Sequence, residues 1–333
     1  MNRRVFRLLL CVGCLALLQR ETPAPFVYRP GEGWTYESPG SGGKWVRNRA
    51  KDQLEVAQAA FDQKDISTAL KAARRTVSVW PLSDYSPQAQ YLVARCKEAQ
   101  GKDEIAFKEY QKLLEKYPKI SNYEEILQRE FTIANRFLGG QWYKLWGYVP
   151  IGPSMEKTAG LYEKLIKSGP YSEVAPLSQI NIGQAWEHQF KPDYPKAVKA
   201  YELAADRYHD QKKLASDAAF KAGEAYLKQA SRAEYDQSIA GRAIATFSDF
   251  NTLYPEDPRV SDAKKEIVAL REEQARGNFM VAEFYEKRKR WQGALVYYGE
   301  VVRTDPNSKY AEQAKQRIEV LQKRVAPRQT AQN

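Results

Sequence analysis

A small residue recurs along the chain twelve positions before a proline or its counterpart. The segments run Ala69 to Pro81, Ala106 to Pro118, Thr158 to Pro170, Ala197 to His209, Ala243 to Pro255 and Ala294 to Pro306. Four residues after the small one comes Tyr110, Tyr162, Tyr201, Phe247 or Tyr298, with Ala73 in that place in the first segment. In the third, Thr158 holds the small position one residue before Ala159. A second small residue lies twelve upstream of the first, at Ala57, Ala94, Ala185 and Ala282; in the other two segments the nearest matches are Ala134 and Ala225. Each unit therefore reads as helix A, a short turn, helix B and a closing proline. Small residues let the paired helices approach, the aromatic fills the gap one turn on, and proline cannot continue helix B. One such unit cannot bury its apolar face alone, so the units must stack.

This is the tetratricopeptide pattern. It predicts an all-α fold, a tetratricopeptide-repeat superhelical solenoid of about six helix pairs over residues 48–324, closed by a C-terminal capping helix. Tyr310, Ala311, Ala314, Ile318 and Leu321 share one side of that cap. With only 17 prolines and 19 glycines in 333 residues, a turn-rich all-β fold is disfavoured. Successive B helices are spaced 37, 52, 39, 46 and 51 residues apart, against ~34 in a minimal repeat, so the repeats carry inserts. The largest insert, at 139–150, holds Trp142, Tyr143, Trp146 and Tyr148. Those rings form either a partner-binding tip or a plug over the repeats, and both readings stand, because two tryptophans are costly to leave in water.

The ends of the chain read differently. A formal charge of +11 suggests an anionic partner. Yet residues 1–50 carry +5, residues 308–333 carry +4, and the body between them only +2. No basic face for nucleic acid is expected. Residues 1–20 read as an export signal, with Arg3, Arg4 and Arg7 ahead of the apolar stretch Leu8 to Leu18. Two cleavage patterns compete. One is a lipobox-like Val12-Gly13-Cys14, which would lipidate Cys14; the other is an ordinary cut near Thr22-Pro23-Ala24. Residues 21–47 form a Pro/Gly-rich linker whose Phe26, Tyr28, Trp34, Tyr36 and Trp45 suit an extended segment partly docked through its rings. Residues 325–333 are expected to be a disordered tail. Lys323, Arg324 and Arg328 would sit either on a plain cap or near an anionic surface.

Catalytic chemistry finds no constellation. His188 and His209 are not at metal-ligand spacing, and Cys96 is the one cysteine left after export. Cys96 falls in an apolar helical pattern and reads as a buried small residue. Glu124-Glu125 and Glu272-Glu273 read as solvated faces. The expectation is a non-enzyme with no cofactor and no metal. Helix A lines the inner surface of such repeats. Positions three before, one after and four after its small residue then give Tyr91, Arg95 and Glu98, then Ile182, Trp186 and Gln189, then Phe279, Glu283 and Glu286. Mixed aromatics and charges suit a peptide groove; Ile182 and Phe279 read equally well as residues packed under a neighbouring repeat.

The last two repeats resemble a known family. Arg242 to Pro255 (RAIATFSDFNTLYP), with Asp262-Ala263 and Leu270, resembles the penultimate repeat of the BamD family of outer-membrane β-barrel assembly lipoproteins. Met280 to Arg288 (MVAEFYEKR), followed by Trp291, resembles that family's last repeat. The family usually has Gly-Ala where this chain has Lys289-Arg290. The resemblance implies a scaffold on the periplasmic face of the outer membrane, exported and lipid-anchored or soluble in the periplasm. Its implied partners are unfolded β-barrel precursors and the POTRA region of the barrel-forming subunit, the latter docked near Glu283, Tyr285, Glu286, Arg288 and Trp291. A periplasmic tetratricopeptide adaptor for envelope maintenance or division is the alternative.

Overall fold

In the computed structural model, residues 26–36, 45–145, 147–232 and 237–325 are described. Among them are thirteen helices: α1 (Ala50–Asp62), α2 (Ile66–Val79), α3 (Ser86–Ala99), α4 (Asp103–Lys116), α5 (Tyr123–Leu138), α6 (Met155–Ser168), α7 (Ala175–Glu187), α8 (Tyr194–Arg207), α9 (Lys212–Arg232), α10 (Gln237–Leu253), α11 (Val260–Lys287), α12 (Trp291–Thr304) and α13 (Lys309–Val325). Odd-numbered helices up to α11 are the A helices, even-numbered ones the B helices, and α13 is the cap. Four short strands accompany them: β1 (Phe26–Arg29), β2 (Gly33–Tyr36), β3 (Tyr143–Leu145) and β4 (Val149–Gly152). The chain divides into two compact units; the boundary falls within α5, and residues 144–149 of the insert belong to the first unit.

In the first unit, α1 to α4 pack in chain order, and α1 also touches α3. In the second, α6 to α13 do the same, and α7 touches α9 while α11 touches α13. Contact of each A helix with its own B helix and with the next A helix is the tetratricopeptide arrangement. The small residues lie where helices meet: Ala57, Ala69, Ala94, Ala106, Ala134, Thr158, Ala159, Ala185, Ala197, Ala225, Ala243, Ala282 and Ala294 are all fully buried. So are Tyr110, Tyr162, Tyr201, Phe247 and Tyr298. Cys96 is buried in the core of the first unit, and burial pushes its thiol up to about 11.

Proline acts on the residue before it. Trp80, Tyr117, Gly169 and Asp305 leave the helix with ψ of 59, 65, 70 and 89°, whereas Tyr208, followed by histidine, stays at 33°. The ring of a following proline excludes helical ψ at the preceding residue. Four A-to-B turns are closed by a left-handed residue: Lys64 (φ 61°), Gly101 (φ 66°), Gly140 (φ 94°) and Lys289 (φ 60°). Each is flanked by the same bond pair, as in Gly101 N to Glu98 O at 2.8 Å and Lys102 N to Lys97 O at 3.0 Å. Lys289 N to Glu286 O at 2.8 Å and Arg290 N to Tyr285 O at 3.0 Å repeat it. Lys289 thus makes the turn that glycine makes at 101.

The described residues of the aromatic segment before α1 include a short hairpin. β1 and β2 pair antiparallel, with Tyr28 opposite Trp34. Their rings lie 5.5 Å apart and are largely exposed. Docking runs through the turn instead: Glu32 is buried beside Arg29 (4.0 Å), Arg49 (3.9 Å) and the Lys51 amide (3.4 Å). The Asp84 amide also donates to the Gly31 carbonyl at 2.6 Å. Trp45 packs against the α1–α3 core. The expected signal at 1–20, Cys14 and the tail beyond residue 325 lie outside the described residues.

Candidate functional site

The richest side-chain assembly lies in the second unit, where the last helix pair meets the cap. α13 buries Ala311, Ala314 and Leu321 against α11 and α12, with Tyr310 and Ile318 beside them. This is the face read from the sequence. The polar edge of α13 borders an open cleft of about 480 Å³, lined by Glu283, Glu286, Trp291, Arg317 and Arg324 over a floor of Phe279 and Tyr298. Glu286 is its hub. It accepts from Tyr298 Oη at 2.9 Å on α12 and from Arg317 Nε at 3.2 Å on α13, with Arg317 Nη2 on its other oxygen. Arg324 lies 5.2 Å over the Trp291 ring. Burial, and then the Glu283 charge, push the Tyr298 hydroxyl up to about 12, so it remains a donor at neutral pH.

The sequence-predicted docking residues divide among three places. Glu283, Glu286 and Trp291 share the cleft. Tyr285 stacks on Tyr297 at 5.4 Å and forms a second hollow with Trp291 and Gly293. Arg288 is exposed and lies 4.1 Å over Phe284. Sequence reasoning missed Arg317, which is 31 residues from its partner. It also missed the acceptor role of Glu286. A signal existed: in the first unit Tyr110 Oη donates to Glu98 at 3.0 Å, and both Glu98/Tyr110 and Glu286/Tyr298 are twelve apart. Tyr201 to Glu187 at 3.3 Å is a variant fourteen apart.

Of the proposed groove residues, Tyr91 and Arg95 touch in the first unit, and Glu98 is linked to them through Tyr110, whose ring lies 6.0 Å from that of Tyr91. Arg95 Nη1 donates to Tyr91 Oη at 3.2 Å and stacks on Phe61 at 5.3 Å, while Tyr91 Oη donates to Glu125. Trp186 and Gln189 belong to the second unit. Trp186 packs on the core around Tyr201 with Lys196 Nζ 4.0 Å above its ring, and Gln189 lies beyond the end of α7 in the A-to-B turn. Ile182 and Phe279 are buried.

The insert splits as well. Tyr143 is buried, stacked 4.2 Å from Phe137 and bonded to Thr158 Oγ1 at 3.1 Å. Trp142 and Tyr148 are exposed. Tyr148 accepts from Lys102 Nζ at 2.9 Å, which holds its hydroxyl below the usual phenol range. Trp146 lies outside the described residues. Among the described residues, no helix is long and apolar enough to cross a membrane, and no group of three metal-ligating side chains comes together.

Known proteins resemble this chain in parts. Residues 170–305 match the YfiO family, described as outer membrane lipoproteins, and residues 88–119 match the tetratricopeptide repeat. The C-terminal part of a TPR repeat-containing protein from Cytophaga hutchinsonii is 15% identical, over 80% of this chain and 88% of that one, with a TM-score of 0.34. A tetratricopeptide repeat protein from Parabacteroides merdae is 13% identical, over 82% of this chain and 98% of that one, with a TM-score of 0.31. No curated protein sequence matches the chain. The chain is thus built of tetratricopeptide repeats, and its fourth to sixth helix pairs are similar to the outer membrane lipoprotein family.

Proposed function

We propose that the protein is a non-enzymatic scaffold subunit of the machinery that assembles β-barrel proteins in the outer membrane, facing the periplasm. The carrying observation is that the family match at 170–305 ends in the same helix pair whose A helix supplies Glu283 and Glu286 to the cleft. In this reading the cleft and the exposed Phe284–Arg288 edge dock a POTRA-containing barrel-forming protein. Unfolded barrel precursors are taken up by Tyr91, Arg95 and Glu98 in the first unit and Trp186 and Gln189 in the second. The exposed rings of Trp142 and Tyr148 add a contact surface. Stacked repeats suit this work, because binding spreads over a long run of side chains and needs no reactive centre.

Affinity capture from detergent-solubilised envelopes tests the reading. Recovery of a POTRA-containing barrel protein is expected, with loss of recovery on Glu283→Lys/Arg288→Glu. Recovery of none would sink it. Depletion of the protein should lower barrel proteins broadly; normal barrel levels would favour the envelope adaptor instead. Mass spectrometry of the mature N-terminus decides whether Cys14 carries a lipid.

A further inference from the structure

The first unit carries a charged feature that the barrel-assembly reading does not use. α2 and α4, the B helices of the first two repeats, form the walls of an open trough, and α3 forms its floor with Gln90 and Val93. Lys71, Arg74 and Arg75 line one wall, at positions i, i+3 and i+4 of α2. Lys112 and Lys116 line the other, at i and i+4 of α4. Side chains at those spacings project from one helix face, so the cations form two facing rows. Glu109 is the one carboxylate among the lining residues, and its Oε2 already accepts from Gln90 Nε2 at 2.8 Å.

This concentration is local, since the body of the chain is nearly balanced in charge. Arg75 Nε is buried with no hydrogen-bond partner. Beneath the trough, burial and then the nearby Arg74 and Lys102 charges hold the Lys97 ammonium below the usual lysine range. Trp45 closes the trough toward the N-terminus, its carbonyl held by Gln53 Nε2 at 3.0 Å and its ring against the core.

We propose that the trough between α2 and α4 binds an acidic polypeptide segment. The cations are strung along the walls rather than converged on one point. On each wall the cations span four residues, about 6 Å at 1.5 Å per residue, from Lys71 to Arg75 on α2 and from Lys112 to Lys116 on α4. A compact phosphate would instead need donors gathered around one centre. Val77 and the Trp45 ring, both half-buried, give apolar side chains of a peptide a place to rest between its carboxylates.

The test is fluorescence anisotropy on the full-length protein. The probe is a short fluorescein-labelled peptide of Asp and Glu with two leucines, compared with its Asn/Gln counterpart. The acidic peptide should bind with an affinity that falls as salt rises, and the amide peptide should not bind. Lys71→Gln/Arg74→Gln/Lys112→Gln, all at exposed positions, should weaken binding about tenfold. Lys264→Gln/Lys265→Gln/Lys315→Gln removes the same charge from the second unit and should leave binding unchanged. The single substitution Lys112→Glu should weaken binding in the same direction, and circular dichroism should show both α2–α4 variants folded. Equal binding of the amide peptide, or equal loss in the second-unit variant, would overturn the proposal. So would binding of phosphatidylglycerol vesicles or inorganic phosphate, but not the peptide, through the same cations.

Discussion

Gly183 on α7 lies directly under the Tyr201 ring of α8: a β-carbon there would stand 2.4 Å from Tyr201 Cε1. Gly223 on α9 holds the same relation to Phe247, at 2.5 Å. Each glycine sits two residues before the small residue of its A helix, and each ring is the aromatic four after the small residue of the B helix. In these repeats the aromatic is buried because the opposing helix offers bare backbone.

Gly183→Ala should therefore destabilise the protein by about 1 to 3 kcal/mol, the cost of overpacking a closed site. Gly160 on α6 has open space where a β-carbon would go. Gly160→Ala should be neutral or should stabilise by about 0.5 to 1 kcal/mol through helix propensity. Urea unfolding of the two variants checks this, and equal effects would contradict the packing.

Lys289 and Lys64 carry left-handed φ where Gly101 stands in the second repeat. A side chain in that region costs about 1 kcal/mol, offset in part by the greater chain freedom of glycine when unfolded. Lys289→Gly should leave the fold intact and raise Tm by a few degrees or less. A clear fall in Tm would mean that the lysine side chain contributes more than its backbone strain costs.

Tyr143 and Trp142 are neighbours with opposite environments. Tyr143→Ala removes a fully buried ring stacked on Phe137 and should cost about 3 to 5 kcal/mol. Trp142→Ala removes an exposed ring and should change stability by less than about 0.5 kcal/mol. Thermal unfolding distinguishes them; a large loss from Trp142→Ala would place that ring in the core.

Arg259 clamps the entry to α11. Its side chain donates to Asp257 at 2.9 Å through both Nε and Nη2, and to Asp217 at 2.8 Å. It also lies 4.8 Å over Phe220. The Arg259 bonds hold the Asp257 carboxyl well below the usual carboxylate range. A depressed folded pKa contributes stability that is present above the unfolded value of about 3.9 and is lost as pH falls through the folded one. The stability gap between the native protein and Asp257→Asn should be constant from about pH 5 to 8 and shrink below about pH 4. Urea midpoints across pH check this, and a gap that persists unchanged to the lowest pH would remove Asp257 from the clamp.

The repeat pattern by itself determined the helix pairs, their small residues and the prolines that stop the B helices. Those features are local: a period places one apolar stripe on each helix, and proline acts on its immediate neighbour. The apolar face of α13 was legible for the same reason. Stacking decided the rest. Glu286 meets Arg317 across 31 residues, and Lys71 and Lys112 line one trough, because packing brings distant helix faces together. Tyr143 and Tyr148 share one aromatic loop, yet one is buried and the other exposed. Composition could not separate them, because burial depends on which neighbour, here Phe137, the fold holds against each ring.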